Sequence, residues 1–170
     1  MLFRSSTGAR TLASSGTVGV AGVLTLGSNT YTVTGSTVNF NGSGAQTIPE
    51  FTYNNLTSSS TGARTLASSG TIAIAGTFTP GSNAYTVTGS TVEFSGSGAQ
   101  TIPAFNFNNL TSSSTGARTR ASTGTVGVAA VLTLGSNAYT VTGSTVNFNG
   151  SGAQTIPEFT YNNLTSSSTG

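Results

Sequence analysis

The chain has no cysteine, histidine, tryptophan, lysine or aspartate. Without cysteine there is no disulfide framework, and without cysteine and histidine there is no ordinary zinc site. A serine here has no histidine, lysine or aspartate to activate it, so acid–base and nucleophilic catalysis lose their usual groups. Charge is scarce too: five arginines and three glutamates in 170 residues leave a net +2. That is too weak for a nucleic-acid footprint. The longest weakly polar stretch, Val126 to Leu134, is interrupted by Gly127 and Thr133 and falls far short of the ~20 apolar residues of a membrane span. Met1-Leu2-Phe3-Arg4 carries a charge but no apolar run, so no signal peptide is read there. The expectations are no enzyme, no cofactor or metal, no nucleic acid and no membrane insertion.

What the chain does have is threonine, serine and glycine, which fill 82 of its 170 positions. Hydrophobic residues still make up 35%, mostly β-branched residues, leucine, phenylalanine and tyrosine, which sets the chain apart from disordered ones. The string STGAR stands at Ser6–Arg10, Ser60–Arg64 and Ser114–Arg118, and SGAQTIP at Ser43–Pro49, Ser97–Pro103 and Ser151–Pro157, both at a spacing of 54. Three repeats therefore run 6–59, 60–113 and 114–167, and residues 168–170 begin a fourth. The first and third differ at four positions, the first and second at twelve.

The local pattern is strand. Thr17-Val18-Gly19-Val20, Leu24-Thr25-Leu26, Tyr31-Thr32-Val33-Thr34 and Val38-Asn39-Phe40 alternate with period two and are bounded by Gly, Ser and Asn. Nothing recurs at helical spacing. The first repeat offers Leu12, Val18, Val20, Leu24, Leu26, Tyr31, Val33, Val38, Phe40, Ile48, Phe51, Tyr53 and Leu56 as its core, too few to order a whole repeat alone. Units that need their neighbours and recur at a fixed period mark a solenoid. The expectation is a single all-β segment over 1–170: a parallel β-helix with about seven short strands and three coils per repeat, near 17–35, 36–50 and 51–70. Nine coils ~4.8 Å apart would make a rod of about 43 Å, each repeat advancing about 14 Å.

The strings GSGAQTIPEFTYNNLTSSSTGARTLASSGT at 42–71 and GVLTLGSNTYTVTGSTVNF at 22–40 resemble the repeats of very large exported bacterial surface proteins. These include filamentous-haemagglutinin-like adhesins and the repeat proteins of gliding and filamentous bacteria. The resemblance covers the whole chain and implies an extracellular stalk or fibre; it brings no catalytic residues.

Several residues invite sharper readings. Glu50 and Glu158 share one repeat position, with Ala104 between them, and are expected six coils apart, too far for a glycosidase pair. Glu93 replaces Asn39 and Asn147. Arg10, Arg64 and Arg118 are expected as a surface row ~14 Å apart, solubilising rather than polyanion-binding. Thr32/Thr34, Thr86/Thr88 and Thr140/Thr142 recur once per three coils, sparse for an ice-binding face, so a Thr/Asn-rich binding module recognising ice or glycan is the runner-up function; calcium β-rolls need the missing aspartate. Asn55, Asn109, Asn163, Asn41 and Asn149 stand in N-x-S/T sequons. Arg120 replaces Leu12 and Leu66, which demands either a corner site or a revised core, and Pro80 in place of Leu26 requires its strand to end there. Tyr53 and Tyr161 trade with Phe107, so the ring is expected to matter more than the hydroxyl. The partner expected is another copy or further repeats, stacked end to end because no capping segment is visible, with a glycan as the alternative.

Overall fold

The computed structural model describes residues 8–167, so the first two residues of the repeat at 6–59 and the restart at 168–170 lie outside the described residues. Alternation dictates the strands. In Thr37–Phe40, Val38 and Phe40 are buried while Thr37 and Asn39 stay half-exposed, and the same pattern holds in Thr91–Phe94 and Thr145–Phe148. Four residues of this kind cannot bury an apolar edge by themselves, so they stack on their counterparts in neighbouring turns.

Stacking is parallel throughout, and no described residue is helical. After Thr37–Phe40 the chain makes the strands Gln46–Ile48 and Phe51–Tyr53, then returns as Asn55–Ser58 to pair on Thr37–Phe40. Gln46–Ile48 pairs in the same way with Arg64–Leu66, and Phe51–Tyr53 with Thr71–Ile74. These strands each meet the third one after it, which makes a three-sided parallel β-helix. The turns differ in length: the circuit from Thr37 to its partner Asn55 is shorter than that from Thr17 to Thr37, and that from Leu56 to Phe78 is longer than either. The expected fold class is the one found.

The coil count differs from the expectation, and the difference matters. The middle repeat, 60–113, contains eight strands, not seven: Arg64–Leu66, Thr71–Ile74, Phe78–Thr79, Tyr85–Thr86, Thr91–Phe94, Gln100–Ile102, Asn106–Phe107 and Asn109–Ser112. Eight strands on three sides make two and two-thirds turns, so three repeats make about eight turns where nine coils were expected. At ~4.8 Å per turn a repeat advances about 13 Å rather than 14 Å, and the three repeats span about 38 Å. Each repeat also begins one side further round. The equivalent strands Thr17–Val20, Thr71–Ile74 and Thr125–Val128 accordingly lie in three different sheets.

The core is one continuous column that includes Val38, Phe40, Ile48, Tyr53, Leu56, Leu66, Ile72, Ile74, Phe94, Val126, Val128 and Phe148. Of the expected core residues, Leu12, Val18, Leu24, Leu26, Tyr31, Val33 and Phe51 are only half-buried in the first repeat. The counterparts of Leu12, Val18 and Leu24 are Leu66, Ile72 and Phe78, which have turns on both sides and are buried. Pro80 does end its strand, Phe78–Thr79.

The ladder is interrupted once per repeat on two sides. Phe78–Thr79 does not pair onward to Gln100–Ile102, nor Tyr85–Thr86 to Asn106–Phe107, while Thr91–Phe94 continues to Asn109–Ser112. Rings fill the interruption. Tyr31, Phe51 and Tyr53 meet edge to face at 5.2 and 5.0 Å; Tyr85, Phe105 and Phe107 do so at 4.8 and 4.9 Å, and Tyr139, Phe159 and Tyr161 at 5.0 and 5.2 Å. The Tyr85 hydroxyl donates to Ser58 Oγ at 2.6 Å in the turn below, and Tyr139 does the same to Ser112 at 2.7 Å. Burial pushes the Tyr85 and Tyr139 hydroxyls above the usual phenol range, outweighing the serine bonds.

Candidate functional site: the stapled corner

The chain's polar side chains with the most partners converge on its corners, not on a surface cleft. Gln46 accepts from Gly42 N at 2.9 Å and donates to Val20 O at 2.8 Å and Gly22 O at 2.6 Å in the turn below. Gln100 and Gln154 repeat this arrangement on Ile74 and Gly76, and on Val128 and Ala130. One turn above Gln46, in direct register, stands Arg64.

Arg64 and Arg118 are wholly buried. The expected surface row of arginines is therefore overturned. Arg10 lies exposed on the first described turn, the other two point inward, and the strands that carry them belong to three different sheets. Arg64 Nη2 donates to Phe40 O at 2.8 Å, Gly42 O at 3.1 Å and Ser59 O at 2.7 Å. Its Nη1 donates to Gly62 O at 2.7 Å, Ala63 O at 3.2 Å and Gly44 O at 3.4 Å. Arg118 makes the same six bonds to Phe94, Gly96, Ser113, Gly116, Ala117 and Gly98. Every one of these acceptors is a backbone carbonyl. Phe40 O and Ala63 O already receive the backbone amides of Ser59 and Gln46, and the planar fork of one arginine gathers these and the corner's other carbonyls across two successive turns. Burial lowers the Arg118 guanidinium below the usual arginine range, yet it stays protonated.

The surrounding backbone is shaped for this fork. Ser60 and Ser114 adopt left-handed φ of 65° and 61°, costly for serine. That conformation sends the Ser59 carbonyl to Arg64 and the Ser60 carbonyl to Asn83 Nδ2, which donates at 3.0 Å from the turn above. Gly62 has no room for a side chain: an added Cβ would meet Gly44 O, Gly42 O and Arg64 Nη1. Gln46, Arg64 and Asn83 thus tie four consecutive turns at one corner.

Arg120 answers the conflict raised by the sequence. Leu66, its counterpart, is 1% exposed and Arg120 is 4% exposed, so the site is interior and not a corner. Arg120 Nε and Nη2 have no hydrogen-bond partner, and the guanidinium lies 5.3 Å from the Phe159 ring centre and 5.7 Å from that of Tyr161. Burial lowers this group as well, with Tyr161 and Tyr139 opposing. Ring contacts recover part of the desolvation cost but not the missing hydrogen bonds. Arg120→Leu is expected to stabilise the protein by about 1–3 kcal/mol, read as a raised melting temperature; a lowered one would show that the rings more than offset burial. Leu12, half-exposed on the first described turn, is expected to tolerate arginine far better than Leu66.

The remaining candidates are dispersed. Glu50 and Glu158 are exposed; Glu50 lies against Gly70 and shares a shallow open groove with the half-exposed Glu93, not with Glu158. With Arg64, Arg118 and Arg120 inside, the described exterior carries one arginine against three glutamates, so it is faintly acidic although the chain is basic. Outward threonines form single-file ranks of three turns, Thr47–Thr65–Thr86 and Thr101–Thr119–Thr140. The residues two further on, Pro49, Ala67 and Thr88, supply no second rank. Asn55 and Asn109 use their side-chain oxygens to accept from Thr77 N at 2.9 Å and Val131 N at 3.2 Å, so these sequon asparagines are part of the corner bonding. The Tyr53 hydroxyl donates to Pro49 O at 3.0 Å and Tyr161 to Pro157 O at 3.0 Å; Phe107 keeps the ring packing without that bond. The buried corner arginine was missed because an arginine in a serine- and glycine-rich string reads as surface. The signal available was that Arg10, Arg64 and Arg118 each follow Gly-Ala, as Gln46, Gln100 and Gln154 do in SGAQ. No known protein family, curated protein or solved structure matches the chain.

Proposed function

We propose that the chain is a stiff spacer: a β-solenoid segment of an extracellular bacterial fibre or adhesin stalk, whose function is reach and rigidity. One observation carries this reading. The elaborate polar chemistry, Gln46, Arg64, Asn83 and their repeats, is spent on binding each turn to the next. The exterior, mostly serine, threonine, asparagine and glycine, gathers no convergent reactive groups in the described residues. Backbone ladders and staples run along the axis, so tension is shared among many hydrogen bonds. The resemblance to exported surface repeats supports the extracellular setting, and the tandem repeat itself supports axial continuation.

Electron microscopy and fibre diffraction of the protein test this. Uniform rods with a ~4.8 Å spacing along the axis, an advance of about 13 Å per repeat and a full helical period of about 38 Å are expected. A compact particle without the axial spacing would overturn the reading. A glycan-binding module is the second reading. Its support is an open cleft of about 560 Å³ lined by Asn29, Tyr31, Glu50 and Phe51, which recurs at about 310 Å³ beside Asn83, Tyr85 and Phe105. Discrete monomers that bind oligosaccharide saturably would favour it.

A further inference from the structure

We propose that the interior of the third repeat is a binding site for one small monovalent anion of the halide class, held by Arg120. The site lies inside the rod and does not depend on the spacer reading. Arg120 is 4% exposed, on a strand with a turn on either side: Ile102 faces it in register from the turn below, and Tyr139–Thr140 pairs with Arg118–Thr119 from the turn above. Arg64 and Arg118 show how this rod ordinarily keeps a guanidinium inside. Each leaves Nε without a partner but gives six hydrogen bonds to backbone carbonyls.

Arg120 gives no hydrogen bond to any described residue. Its Nε and Nη2 are buried without a partner, and the Phe159 and Tyr161 rings, 5.3 and 5.7 Å from the guanidinium carbon, accept no proton from them in the way a carbonyl would. No carboxylate among the described residues pairs with it either; Glu158, next to Phe159 in the chain, is exposed. A buried charge left in this way is costly, and a counterion removes the cost. The two free donors suit one. Nε–H and one Nη2–H project from the same edge of the planar guanidinium, so a single spherical acceptor can receive both.

There is also room for it. Arg120 lines an internal cavity of about 10 Å³ together with Ile102, Leu110, Val126, Leu132 and Tyr139, space on the order of one water-sized particle. The sequence explains why the space is there. The middle repeat carries Leu66, Ile72 and Phe78, all buried, where the third carries Arg120, Val126 and Leu132, so two smaller side chains flank the longer polar one. Apart from Arg120, the polar side chain on the wall is Tyr139, whose hydroxyl is already engaged with Ser112 Oγ at 2.7 Å and Leu134 O at 3.0 Å. A water would accept both arginine N–H groups but find no free side-chain acceptor for its own protons. A halide needs donors only, and it neutralises a charge that the rings cover in part.

The test is thermal unfolding of the 170-residue chain and of Arg120→Leu in chloride and in gluconate at one ionic strength, with crystals of the unsubstituted chain grown in bromide. Gluconate is too large for the cavity. Chloride is expected to raise the melting temperature of the unsubstituted chain by roughly 2–4 °C over gluconate and to leave that of Arg120→Leu unmoved. The advantage of Arg120→Leu over the unsubstituted chain is therefore largest in gluconate and shrinks in chloride. Anomalous scattering is expected to place one bromide within hydrogen-bond reach of Nε and Nη2. A melting temperature indifferent to the anion, or an equal rise in Arg120→Leu, overturns the proposal. So does a bromide crystal with a water in the cavity, or with bromide on the exterior only.

Discussion

Arg64→Ala is expected to destabilise the protein by about 3–5 kcal/mol, lowering the midpoint of thermal unfolding by roughly 10 °C. The substitution removes six hydrogen bonds and takes the guanidinium from the carbonyls of Gly42 and Ser59, while Phe40 O keeps Ser59 N and Gly62 O keeps Asn83 Nδ2. Each buried acceptor left unmade costs about 1–3 kcal/mol, and the strained Ser60 backbone loses what holds it. Arg64→Lys is expected to recover only part of the loss, because an ammonium group cannot span two turns as a planar fork does. Circular dichroism melts of the three proteins check this. A melting point for Arg64→Ala within a degree or two of the unsubstituted chain would mean that water replaces the fork at little cost.

Gly62→Ala should be comparably damaging for a steric reason. An added Cβ would press on two backbone carbonyls, Gly44 O and Gly42 O, neither of which can swing aside as a flexible side chain can. Gly116→Ala meets the same obstacles at Gly98 O and Gly96 O. Overpacking against fixed backbone is expected to cost about 3 kcal/mol or more. Gly44→Ala and Gly98→Ala are the controls, since nothing lies within 4 Å of a Cβ there. Those changes are expected to stay within about 0.5 kcal/mol. The contrast separates the corner's shape from any general dependence on glycine, and equal melting shifts for the two pairs would defeat it.

The periodicity of the strands was readable because a residue's face in a strand is set by its parity alone. Val38 and Phe40 point inward in the structure as the alternation requires, and Val92 with Phe94 repeats it. Pro80 was readable for an equally local reason, since proline cannot donate to a ladder. Arg64 was not readable. Whether an arginine faces solvent or a ring of carbonyls depends on which turn lies beside it, and Gly42 and Gly44 belong to the preceding turn, far off along the chain. Arg120 was undecided for the same reason: Phe159 and Tyr161, the rings that receive it, come from the next turns.

From the sequence alone came the all-β class, the parallel β-helix, the tandem repeat and the absence of cysteine, histidine, lysine and aspartate. All of these follow from composition and from spacings along the chain. Only the tertiary structure decided that one repeat makes two and two-thirds turns, that equivalent strands rotate from side to side, and that Arg64 and Arg118 are internal staples. Turn length depends on how tightly each corner folds against the turn beneath it, and circuits of three different lengths, Thr37 to Asn55, Thr17 to Thr37 and Leu56 to Phe78, coexist in one rod. Those corner geometries are fixed by hydrogen bonds between turns, which exist only once the turns are stacked.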